Sequence, residues 1–148
     1  MAPYITPHIR TPIFIMNSAY DCFQLTIIVG VNVLDPSASS VLQAFRDMFL
    51  SNLSTALAGK SASGAYVDSC YVHEQNVNYC SGQSLPNCVG WTPLESGSKK
   101  WGYTTAVGGK TPQQAFSDFY FNRGPSVVID QDRFPENPTC KFTGNPPA

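Results

Sequence analysis

Two side chains have types and a placement that could carry acid–base chemistry: Asp21, in Asn17-Ser-Ala-Tyr-Asp21, and His73, in Ser69-Cys-Tyr-Val-His-Glu74. A carboxylate that holds an imidazole in one tautomer and orientation lets the ring accept a proton from a nucleophile. Together they are the supporting two-thirds of a Ser-His-Asp triad. An acid followed by a histidine is the order of the last two members of that set in α/β-hydrolases. Spacing alone is a weak signal, because a loop Asp commonly caps a turn and a loop His is commonly a solvated side chain. The nucleophile's usual setting is a Gly-x-Ser-x-Gly elbow, and no serine in the chain has one. Gly59-Lys-Ser61-Ala-Ser63 and Gly82-Gln-Ser84-Leu-Pro86 both lack the second glycine.

For Asp21 and His73 to meet, strands must deliver them to one edge of a sheet. Ile13-Phe-Ile-Met16 is short, apolar and rich in β-favouring residues, and reads as a strand buried on both faces. Phe23 to Val33 is ambiguous between strand and helix, and Asp35-Pro36-Ser37 marks a turn. Ser40 with Gln43 has capping-box spacing, and Val41, Leu42, Phe45, Phe49, Leu53 and Leu57 recur at helical spacing up to Gly59. A helix over 40–58 is expected. Gly64 to Asp68 is the next strand. Two strands joined by a helical crossover lie parallel, so the loops carrying Asp21 and His73 leave the same edge, where open α/β sheets bind ligands. Thr111-Pro112 with Gln114 starts a last helix whose buried face is expected to hold Phe116, Phe119 and Tyr120 and which ends at Gly124-Pro125, before a short strand at 126–129. Residues 75–110 show no countable period and read as a long loop or insertion.

The chain has 148 residues, 43% of them hydrophobic, which is one domain's worth of core-forming material. Its net charge of -1, with no basic run, argues against nucleic acid as a partner. Its apolar stretches are far too short to span a bilayer, so no membrane partner is expected. Five cysteines beside 12 prolines and 11 glycines point to a secreted, loop-rich protein, although the first residues lack the pattern of a signal peptide. Cys70, His73, Cys80 and Cys88 do not have the paired spacing of a zinc site, and no metal is expected. Gly59-Lys-Ser61 and Gly109-Lys-Thr111 have Ser54 and Thr104 where a phosphate loop needs its first glycine. Neither is expected to bind nucleotide. Tyr71, Trp91, Trp101 and Tyr103 are either loop core, the preferred reading, or a stacking surface for sugar rings.

Thr11-Pro-Ile-Phe-Ile-Met-Asn-Ser-Ala-Tyr-Asp-Cys-Phe-Gln24 closely resembles the strand and acid loop of the pectin acetylesterase family, which includes the Notum-type carboxylesterases. Leu42-Gln-Ala-Phe-Arg46 is similar to the family's helix, Asp68-Ser-Cys-Tyr-Val-His73 to its histidine loop, and Asp118-Phe-Tyr-Phe-Asn-Arg123 to its last helix. Trp101, Gly109-Lys-Thr111 and the terminal Asn137-Pro-Thr-Cys140 also agree. The resemblance spans residues 3–75 and 101–141 in the same order. Departures are Glu74, where plant enzymes usually have Cys, a shorter loop between Asp21 and the helix, and an unmatched segment 75–100 containing Cys80 and Cys88.

The resemblance implies an α/β-hydrolase-like (flavodoxin-like three-layer) parallel sheet, with residues 1–148 as the C-terminal part of one catalytic domain and 75–110 as a loop-rich insertion. It implies Asp21 as triad acid, His73 as general base, and a nucleophile in an N-terminal half outside this chain. No cofactor is implied. The substrate would be acetylated cell-wall pectin, and the location extracellular. A chain with the acid and base alone is expected to be inactive and marginally stable. The resemblance further implies a Cys70–Cys140 bridge. A local Cys80–Cys88 disulfide is expected from their proximity, leaving Cys22 as the odd thiol, read as a small buried hydrophobe or as the partner of a cysteine in the missing half. The alternatives are a Notum-like protein deacylase and a non-catalytic, degenerate domain.

Overall fold

The computed structural model describes residues 2–32, 35–60, 62–71 and 106–134. Three strands, β1 (Ile13–Ser18), β2 (Ser63–Asp68) and β3 (Val127–Ile129), form one parallel sheet in the order β1-β2-β3. Ile13 lies opposite Ser63 and Ser18 opposite Asp68, while Ala65 faces Val127 and Val67 faces Ile129. A short helix α1 (Ala2–Ile5) precedes β1, α2 (Ser39–Leu57) lies between β1 and β2, and α3 (Pro112–Tyr120) lies between β2 and β3.

Because side chains alternate along a strand, the sheet has two apolar faces, and each is covered by a helix. Ile15, Ala65, Val67 and Ile129 meet Leu42, Phe45, Phe49 and Leu53, the inward stripe of α2. Phe14, Tyr66 and Val128 point the other way, toward Val107 and toward Ala115 of α3. The result is a three-layer α/β/α arrangement, the fold class expected from the sequence. β2 is the strand buried on both faces, from Gly64 to Asp68. β1, for which that was expected, is only half-buried over Ile13–Ile15 and leaves Met16 exposed, because among the described residues it has a neighbour on one side alone.

Three local expectations are settled, the first of them left open by the sequence and the other two corrected. Phe23 to Val33 resolves into a wide helical turn over Gln24–Val29, stopped by Gly30 in the left-handed region at φ 77°. The Ser40 capping box does not form. Asp35 instead accepts from the Ser37 N–H at 2.9 Å and starts a 3-10 turn, Pro36–Ala38, that runs directly into α2 at Ser39, so the helix begins already capped. The third concerns α3, which stops at Tyr120 rather than at Gly124, with Asn122 in the left-handed region at φ 53°, and leaves Phe116 and Tyr120 exposed. Its buried residues are Pro112 and Ala115.

The entry to α3 does follow the sequence, since Thr111 and Gln114 form a full capping box. Just before it, Val107 and Lys110 pair across Gly108 and Gly109, both at positive φ, the two-glycine turn that only residues free of a Cβ adopt without strain. The Tyr66 hydroxyl holds this turn to the sheet, accepting from the Val107 N–H at 3.2 Å and donating to the Lys110 carbonyl at 3.3 Å. Burial pushes the Tyr66 phenol well above its ordinary pKa. Lys110 reaches on to Asp118 at 2.8 Å, so Gly109-Lys-Thr111 is a helix-entry device in which each side chain has a structural partner. Gly64 of β2 has no room for a side chain. A Cβ there would lie 2.7 Å from the Ser126 carbonyl oxygen and from Phe14, and 2.9 Å from Phe119.

Candidate active site

Parallel strands end at a common edge, here at Ser18, Asp68 and Ile129. Five polar side chains are buried at that edge: Ser18, Asp21, Asp68, Ser69 and Asp130, none more than 4% exposed. Buried polar groups need partners, and the local chain provides them. The Asp21, Asp68 and Asp130 carboxylates each accept a main-chain N–H from just downstream, from Gln24 at 2.9 Å, Cys70 at 3.0 Å and Asp132 at 3.0 Å. This is how Asp turns a chain as it leaves a strand.

Asp21 sits three residues beyond β1, at the start of the helical turn. Its Oδ1 takes the Gln24 N–H and its main-chain oxygen takes the Leu25 N–H at 2.9 Å, the pattern of an N-cap with a carboxylate at the positive end of a helix. The side chain is therefore held in one rotamer as well as buried. A carboxylate fixed this way is suited to orient a cation or a ring N–H brought against it.

The loop leaving β2 is tied down from both neighbours. From the β1 side, Ala19 N–H donates to the Asp68 carbonyl at 2.8 Å and the Ser18 hydroxyl donates to the Cys70 carbonyl. From the β3 side, Ser69 Oγ donates to Asp130 Oδ2 at 2.7 Å, while the Asp130 N–H pairs with the Val67 carbonyl at 2.8 Å. Arg46 of α2, itself buried, donates from Nη2 to the Asp130 carbonyl at 3.2 Å. Tyr71 is packed, its hydroxyl 2.5 Å from Thr26 Oγ1 and its ring against Phe134 at 5.9 Å, which makes it core rather than a sugar platform. His73 follows Tyr71 by two residues and lies outside the described residues, as do Trp91, Trp101, Tyr103 and all of 75–105.

Cys22 and Cys70 are each fully buried and each engaged in a disulfide. This corrects the expectation that Cys22 is the odd thiol; its burial is as expected. Cys80, Cys88 and Cys140, and with them the expected Cys70–Cys140 and Cys80–Cys88 pairings, lie outside the described residues. Cys70, engaged in a disulfide, is not a thiolate ligand for zinc, and no group of three metal-ligating side chains occurs among the described residues.

Sequence reasoning singled out Asp21 but passed over Ser18, Ser69, Asp68 and Asp130. The signal available was positional: each strand ends in, or within three residues of, an aspartate.

The family model described as pectinacetylesterase matches residues 1–141. Among curated proteins, the chain is 30% identical over 149 residues to pectin acetylesterase 5 of Arabidopsis thaliana, covering 90% of this chain and 30% of the relative. It is 26% and 27% identical over 153 residues to pectin acetylesterases 11 and 7 of the same plant, covering 93% of this chain and 34% of each relative. The chain thus spans about a third of the length of these relatives. No solved structure matches. A match along nearly the whole chain, on an α/β sheet whose carboxyl edge carries the Asp21 loop, places the chain in the pectinacetylesterase family.

Proposed function

We propose that this chain contributes the acid and the base of a serine esterase that removes acetyl groups from cell-wall pectin, and that it forms the C-terminal part of one catalytic domain acting outside the cell. The observation that carries the reading is the family match over residues 1–141, within which Asp21 is a buried, rotamer-locked carboxylate on the sheet edge from which the His73 loop also departs. His73 would accept the proton of a serine hydroxyl as its oxygen bonds to the acetyl carbonyl carbon. The tetrahedral oxyanion would be held by main-chain N–H donors of the elbow, and His73 would return the proton to the departing sugar oxygen, leaving an acetyl-enzyme. Water, deprotonated by the same imidazole, would then release acetate. Asp21 would keep the ring in the productive tautomer throughout.

The Gly-x-Ser-x-Gly elbow is absent from the chain, so on this reading these residues alone have no esterase activity. The test is acetate release from acetylated pectin by a polypeptide joining this chain to such an elbow. His73→Ala is expected to reduce kcat by about 10³-fold or more, as loss of a triad member does. Full activity in the His73→Ala protein would refute the assignment.

A further inference from the structure

We infer that Ser18 is a positioning residue, whose hydroxyl locks the loop carrying Asp21 to the loop leading to His73. The inference rests on the acid–base reading above and deepens it. Ser18 is the last residue of β1 and only 1% exposed. Its Oγ accepts from the Tyr20 N–H at 3.2 Å and donates to the Cys70 carbonyl, 52 residues away. Tyr20 immediately precedes Asp21, and Cys70 is three residues before His73.

The sheet itself cannot do this work. Its register ends with Ser18 opposite Asp68, and one further main-chain bond, from Ala19 N–H to the Asp68 carbonyl, continues it. Beyond that the main-chain ladder stops, Asp21 entering its helical turn and Ser69 bonding toward β3, and side chains link the two loops: Ser18 to the Cys70 carbonyl, and Tyr71 to Thr26 further out. A hydroxyl has one proton to donate and lone pairs to accept with, so one small side chain satisfies a group on each loop. Alanine at this position would remove both the acceptor for the buried Tyr20 N–H beside the acid and the donor to the Cys70 carbonyl before the base, and so break this link between the two loops.

The test is the imidazole titration of His73 by NMR in the 148-residue chain carrying His8→Ala, which removes the other histidine. Pairing with the Asp21 carboxylate raises the imidazole pKa, so Asp21→Asn is expected to lower it by about 1 unit or more. Ser18→Ala is expected to lower it by at least half of that shift, and Ser18→Thr, which keeps the hydroxyl, to restore it. Tyr66→Phe removes a buried hydroxyl that anchors the Val107–Lys110 turn rather than either loop and is expected to leave the titration unchanged. A shift with Asp21→Asn but none with Ser18→Ala overturns the role of Ser18 and spares the pair. No shift with Asp21→Asn overturns the pair, and the inference with it. Should Ser18→Ala fail to fold, hydrogen exchange in the otherwise unaltered chain decides. The Tyr20 amide is expected to be protected about as well as that of Ala19. An unprotected Tyr20 amide means the Ser18 link does not hold.

Discussion

Asp21 has two jobs that separate cleanly by substitution. As an N-cap it accepts the Gln24 N–H at 2.9 Å; as the proposed triad acid it needs a negative charge. Asparagine keeps the first function and removes the second, whereas alanine removes both. Replacing an N-cap Asp by Ala costs about 0.5–2 kcal/mol, and replacement by Asn costs little. With a urea slope of about 1–3 kcal/mol per molar for a domain of this size, Asp21→Ala should lower the urea midpoint of the 148-residue chain by about 0.5 M, while Asp21→Asn leaves it nearly unchanged. Acetate release by the elbow-containing polypeptide should fall in both variants, by about 10⁴-fold in Asp21→Asn, equivalent to about 5 kcal/mol of transition-state stabilisation. Chemical denaturation followed by circular dichroism gives the first number and initial rates on acetylated pectin the second. Asp21→Asn retaining more than a tenth of the activity would refute the acid role, and equal destabilisation by the two substitutions would refute the capping role.

Gly64→Ala sets a methyl 2.7 Å from the Ser126 carbonyl, which accepts the Ala65 N–H at 2.8 Å, so β3 must shift. A loss of about 1–3 kcal/mol is expected, read as a lower urea midpoint at unchanged slope, and a fully stable variant would contradict the close approach. Tyr66→Phe, which strips the Val107–Lys110 turn of its anchor, should cost about 1–3 kcal/mol in the same assay. The hydrogen bond from Lys110 holds the Asp118 carboxyl below the usual carboxylate range, with Arg123 adding a smaller share. A carboxyl lowered by folding stabilises the protein above its unfolded pKa and loses that contribution as pH falls through the folded value. Lys110→Met should therefore lower stability at neutral pH and flatten the decline below about pH 4, and an unchanged pH profile would show the ion pair to be inert.

What the sequence determined by itself was whatever a few neighbouring residues decide together. The apolar stripe from Leu42 to Leu57 has no stable alternative to a helix, Thr111 and Gln114 carry both halves of a capping box, and β-favouring residues before Asp21 form a strand. Family motifs around Asp21 and His73 were legible for the same reason, as contiguous words in the chain. Tertiary structure decided the rest, because the deciding partner was distant or because two local signals competed. Asp35 displaced Ser40 as the cap of α2 by starting a turn one step earlier. Phe116 and Tyr120 had the spacing of a buried face, yet small Ala115 is what fits against Tyr66, and the rings are left outside. Ser18, Ser69 and Asp130 looked like ordinary loop polarity. Only parallel pairing in one register brings Ser18 to the Cys70 carbonyl and Ser69 to Asp130, 52 and 61 residues apart, and turns three unrelated loop starts into one buried, hydrogen-bonded edge.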